Sequence, residues 1–155
     1  MKPITFQCVE TIPLQPEEIA EQILDLVNWP EFTGYGPMPG IEKAEFEIRT
    51  EEIVGTRIRV TNTDGSSHIE EIHEWEPARR LVLSLSEFTP PLSKLTRRFE
   101  EVFEFEPEGT ATLVTRSFAM YPTSGFARPM LWMISLLLKR AIARHLHQMR
   151  EAAGG

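Results

Sequence analysis

The sequence predicts an α+β fold. About seven short antiparallel strands form a curved sheet around one long C-terminal helix, with two short helices after the first strand. Three observations predict it. Turn signals at Asp64-Gly65, Glu76-Pro77, Pro90-Pro91 and 106–109 divide residues 41–121 into strand-length segments. A β-rich stretch and a helical stretch precede them. A single amphipathic run over 126–152 follows.

Each element has a local reason. ITFQCVETIPL is rich in β-branched and apolar residues and predicts a strand over 3–12. Pro16-Glu17-Glu18 opens a helix, because proline suits the first turn and carboxylates suit its positive end. Ile19, Ile23, Leu24 and Val27 recur at helical spacing and predict one buried stripe, which Pro30 ends. The bend Trp29-Pro30-Glu31-Phe32 leads into the glycine-rich loop 33–40, which reads as a mobile flap at a cavity mouth. Six strands follow, over 41–49, 55–63, 67–76, 80–88, 97–106 and 110–121, and they make a meander. A curved sheet cannot cover its own apolar face; a long helix across it can, and the space between suits a small molecule.

Composition narrows the function. The chain has 155 residues, enough for one domain over 1–155 with a real core. It is 41% hydrophobic and 25% charged, the balance of a folded globule. Its single cysteine, Cys8, excludes an internal disulfide framework. Residues 1–123 hold 11 basic against 22 acidic groups, while 124–155 hold 5 basic against 1 acidic. An acidic body argues against nucleic acid; the basic end leaves an anionic membrane surface open. With no signal-peptide pattern at the start, the expected location is cytoplasmic.

Register assigns faces. In 97–106 the residues Phe99, Glu101, Phe103 and Phe105 share one side, and the aromatics mark it as buried. In 110–121 the inward set is Thr112, Val114, Arg116, Phe118 and Met120. Glu101 and Arg116 are therefore expected to pair inside, since an isolated buried charge needs a partner or an anionic or polar ligand. The Asp64-Gly65 hairpin has two readings. A two-residue turn puts Ile58, Val60, Ile69, Glu71, His73 and Trp75 on one face, with Arg59 facing Glu70 outside. A three-residue turn brings His68, Glu70 and Ile72 to that face instead. Asp-Gly favours the first.

The last helix carries Lys139, Arg140, Arg144, His147 and Arg150 on one face. Leu131, Ile134, Leu138, Ala141, Ile142, His145 and Met149 lie opposite, where His145 reads as a satisfied core histidine. Trp132 and Leu136 fall near the charged face. A dimer contact, a membrane-surface dock or cover by the loop 88–96 would each account for them. No histidine pair has metal-binding spacing, no phosphate loop or nucleophile motif is present, and neither a metal nor a cofactor is expected.

The order β-α-α-β6-α joins several segments: DLVNWPEFTGYGPMPGIEKAEF (25–46), VGTRIRV (54–60), EWEPARRLVLSL (74–85) and GTATLVTRSFAMYP (109–122). Together these resemble the START-like helix-grip superfamily, also called SRPBCC, in its polyketide cyclase/dehydrase-like branch. The resemblance covers nearly the whole chain and rests on structural motifs. It implies a cavity between sheet and helix that holds a hydrophobic ligand. Members include cyclases and dehydratases, carriers of lipids or quinones, and protein binders; they share no catalytic motif to transfer.

Three functions are therefore in play. The first is binding of a small hydrophobic or amphipathic molecule (lipid, isoprenoid, quinone or polyketide-like). Its expected contacts are Trp29, Phe32, Ile58, Val60, His73, Leu83, Phe99, Glu101, Phe103, Val114, Arg116, Phe118, Ile134 and Leu138. The second is a cyclase/dehydratase-type enzyme in which Glu101, His73 or Tyr121 moves protons and Arg116 holds an enolate oxygen. The third is a protein- or membrane-interaction domain using the Trp132/Leu136 basic face, with a membrane-surface contact or a homodimer formed through the C-terminal helix.

Overall fold

A computed structural model describes residues 2–154. Seven antiparallel strands form one sheet in the order β1-β7-β6-β5-β4-β3-β2. They are β1 (Ile4–Ile12), β2 (Ile41–Ile48), β3 (Arg57–Asn62), β4 (Ser67–Glu76), β5 (Arg80–Ser86), β6 (Thr96–Glu108) and β7 (Ala111–Pro122). Helix α1 (Pro16–Leu24) and a 3-10 helix (Leu26–Glu31) follow β1, and helix α2 (Arg128–Gly154) closes the chain. This is the α+β helix-grip arrangement that the order of elements predicts.

Helix α1 starts as its first residues require. Glu18 Oε1 accepts the Gln15 N–H at 3.2 Å, and Pro16 occupies the first turn. The helix ends earlier than periodicity suggests. Asp25 breaks it, and the chain tightens into the 3-10 helix that contains Pro30. Val27 is consequently 85% exposed, so the buried stripe stops before it.

The β3–β4 hairpin adopts the three-residue turn. Asn62 accepts the Gly65 N–H at 3.0 Å and donates its own N–H to Ser66 O at 2.8 Å. Gly65 has φ +86°, so the turn is a tight bend followed by a left-handed residue. Asp-Gly thus supplies the last two positions of a longer loop rather than a two-residue turn. The pairs become Ile58 with Glu70 and Val60 with His68. Arg59 sits opposite Ile69, not Glu70, and donates to Glu47 at 2.7 Å.

The core lies between the concave face and α2. Phe99, Phe103, Phe118 and Met120 are buried on the sheet side, as are Leu131, Leu138, Ile142 and Leu146 on the helix. Helix α2 packs chiefly along β1. There the Cys8 thiol meets Lys139 O at 3.5 Å, and Arg150 reaches Glu10 at 2.9 Å.

Candidate ligand-binding cavity

The grip is not filled. A cavity of about 480 Å³ remains between sheet and helix. Its floor comes from alternating inward positions on the central strands. These are His68 and Glu70 on β4, Leu83 and Leu85 on β5, Phe99, Glu101 and Phe103 on β6, and Arg116 and Phe118 on β7. Helix α2 roofs it with Ile134, Leu137, Leu138, Ile142, His145 and Met149. The lining runs out to Glu31, Pro37, Asp64 and Pro90, all exposed, so the cavity opens there.

The mouth loop 33–40 is bonded to itself and to the β3–β4 hairpin. Tyr35 and Met38 exchange backbone hydrogen bonds at 3.0 and 2.9 Å, and Thr63 donates to Gly40 O at 2.9 Å. A Cβ at Gly34 would stand 2.2 Å from Met38 O, so only glycine fits this close approach. The expected flap is a pinned bend.

Two buried polar groups interrupt the apolar wall. At the first, Arg116 donates from Nε to Glu101 Oε2 at 2.5 Å. Its guanidinium lies 4.8 Å from the Phe103 ring centre and 5.8 Å from that of Phe118. Its Nη1 stands 3.3 Å from His145 Nδ1. Arg116 can only donate, so His145 accepts there and is neutral. Burial, with the Arg116 charge second, drops the His145 pKa to about 3. Burial pushes the Glu101 carboxyl above the usual carboxylate range; Arg116 pulls it back and the Glu70 charge adds to the push.

At the second, His68 Nε2 and Glu70 Oε2 are 2.9 Å apart, both side chains buried. His68 tilts against Phe88 at 5.7 Å, and Phe88 against Phe99 at 4.8 Å. Nearer the helix, Phe32 meets His145 edge-on at 5.6 Å.

Of the residues singled out from sequence, Trp29, Phe32, Leu83, Phe99, Glu101, Phe103, Arg116, Phe118, Ile134 and Leu138 line the cavity. Five do not. Ile58 and Val60 are fully buried but outside the lining, and Val114 is core opposite Phe105. His73 is half-exposed and bonds Ser84 at 2.7 Å, because the hairpin register turns Glu71 and His73 outward. Tyr121 alternates with the inward Met120, and Arg98 covers its ring at 4.1 Å. His68 and Glu70 reach the wall through the alternative hairpin register. His145 sits on the apolar face that periodicity gave it, but its partner Arg116 is 29 residues away in sequence. Phe88, Leu92 and Leu95 were missed; the aromatic and leucines flanking Pro90-Pro91 were the available signal.

Loop 88–96 does not cover the outer face of α2. Trp132 is 55% exposed, with Met133 and Leu136 also exposed. Among the described residues no helix is long and apolar enough to cross a membrane, and no cluster of three or more potential metal ligands occurs.

Comparison with known proteins agrees with the geometry. The family model described as polyketide cyclase / dehydrase and lipid transport matches residues 3–154. The chain belongs to that family. Solved structures similar to this polyketide cyclase/dehydrase family member include a START superfamily protein from Mycobacterium smegmatis. It is 14% identical with a TM-score of 0.72, covering 96% of this chain and 97% of the other. A protein of Thermus thermophilus is 20% identical with a TM-score of 0.71, covering 98% and 100%. The ginseng major latex-like protein 151 of Panax ginseng is 17% identical with a TM-score of 0.65, covering 94% and 98%. At these identities the likeness is one of fold. No curated protein matches the family member's sequence.

Proposed function

We propose that the chain, acting as one domain over 1–155 in the cytoplasm, binds a small hydrophobic or amphipathic molecule between its sheet and α2. Lipids, isoprenoids, quinones and polyketide-like compounds are the classes in view. The observation that carries this is the cavity of about 480 Å³, whose wall is mostly aliphatic and aromatic. Much apolar area with few polar anchors gives affinity with loose selectivity. Native mass spectrometry of protein purified from its own host tests the reading. A retained apolar molecule is expected, and Phe99→Trp, which fills the floor, should release it. Protein that carries nothing and takes up no apolar compound in titration would overturn the reading.

A second reading, a cyclase/dehydratase-type enzyme, is supported by the His68–Glu70 contact on the cavity wall. A carboxylate that orients an imidazole is a common device for proton transfer. His68→Gln should then abolish turnover of a bound ketone while leaving its binding intact. Loss of binding and turnover together would reduce His68 to a wall residue.

A further inference from the structure

The charges that line the cavity are unbalanced. Glu31, Asp64, Glu70 and Glu101 stand against one guanidinium, that of Arg116. Counting His68 as a second cation still leaves two carboxylates in excess. Arg116 is already committed: Glu101 neutralises it, His145 faces its Nη1, and two phenylalanine rings approach it. An anionic headgroup entering the cavity therefore meets carboxylates and no free cation.

The carboxylates are not committed to the same degree. Glu101 is 3% exposed and bonds protein through Oε2 alone. Glu70 likewise bonds only through Oε2, to His68. Among the described residues no buried side-chain oxygen is left without a partner. The free oxygens of both glutamates therefore border open volume, and the volume they border is the cavity. Phe88 lies against both His68 and Phe99 on the same wall, and aromatic ring faces attract cations. At the mouth, Asp64 is held below the usual carboxylate range by the hydroxyl and N–H of Ser66, so it remains charged. A cleft with low-dielectric walls and charge of one sign concentrates counter-ions of the other.

We infer that the cavity takes an apolar ligand carrying a protonated amine, with the free oxygens of Glu70 and Glu101 receiving the ammonium and Glu31 and Asp64 attracting it to the mouth. This rests on the cavity-binding reading and narrows it to one class of ligand.

Three probes with the same chain test it by calorimetric titration at pH 7 and low salt, below their micelle-forming concentrations: decylamine, 1-decanol and decanoate. The amine should bind best and the acid worst, with a gap of about tenfold or more between them. Glu70→Gln should shrink that gap while leaving decanol binding near its original value. Glu31→Gln, at an exposed position, should shrink it less, and added salt should reduce the Glu31 part. Decanoate binding as tightly as decylamine, or an amine preference unchanged in Glu70→Gln, would overturn the inference alone. If none of the three binds, the cavity reading falls and takes the inference with it.

Discussion

Arg116 and Glu101 sit diagonally on neighbouring strands and share a hydrogen bond of 2.5 Å on the cavity wall. Their side chains are 12% and 4% exposed. A pair this deep is held by mutual need, because either charge alone is poorly solvated.

The two halves of that pair should fail differently. Glu101→Gln leaves a guanidinium that cannot release its proton, so it should cost about 3–5 kcal/mol at any pH near neutral. In Arg116→Met the carboxyl is already pushed upward by burial and can take a proton. Its cost should match Glu101→Gln at pH 8 and fall well below it at pH 5. Denaturant titrations of both variants at the two pH values check this, and equal pH dependence would contradict it.

His145 gives a second pH signature. Its folded pKa is about 3, against about 6.5 in an unfolded chain. Between those values the unfolded state binds the extra proton. The contribution is thus full above pH 6.5 and is lost as pH falls toward 3. The expected slope is up to about 1.4 kcal/mol per pH unit from this group. His145→Gln keeps an acceptor for Arg116 but does not titrate, so its stability curve should be flatter by that amount.

Leu131 and Leu138 are both buried on α2, but only Leu138 lines the cavity. Leu131→Ala opens a new void in filled core and should cost about 2–5 kcal/mol. Leu138→Ala only enlarges an existing one, and its cost should fall nearer the low end. Thermal or chemical unfolding of the two variants side by side reads the difference.

Gly65 at φ +86° fixes the β3–β4 turn and hence which residues of β4 face inward. No atom crowds its missing Cβ, so Gly65→Ala tests conformation alone. It should cost about 1–2 kcal/mol without changing the fold. A two-dimensional amide spectrum should show shifts confined to the hairpin and the adjoining mouth.

Strict alternation made much of this protein legible in its sequence. Phe99, Phe103 and Phe118 declared the inward face of β6 and β7, and Glu101 and Arg116 followed by parity. The hairpin at Asp64-Gly65 was not legible in the same way. Asp-Gly serves both a two-residue and a three-residue turn, and one added residue inverts the face of everything after it. That inversion exchanged His73 for His68 and Glu71 for Glu70 on the wall. Trp132 and Leu136 show another limit: helical periodicity finds a face but not what lies over it.

The sheet order places β1 beside β7 alone, with Ile4 opposite Met120. β1 thus has no mate in the sheet until β7, the last of the seven strands, has been made. The β1–β7 seam is a long-range closure, slow by the logic of contact order. Until it forms, the apolar side chains of Ile4, Cys8 and Ile12 stay uncovered, so the folding chain is most open to aggregation before β1 and β7 join.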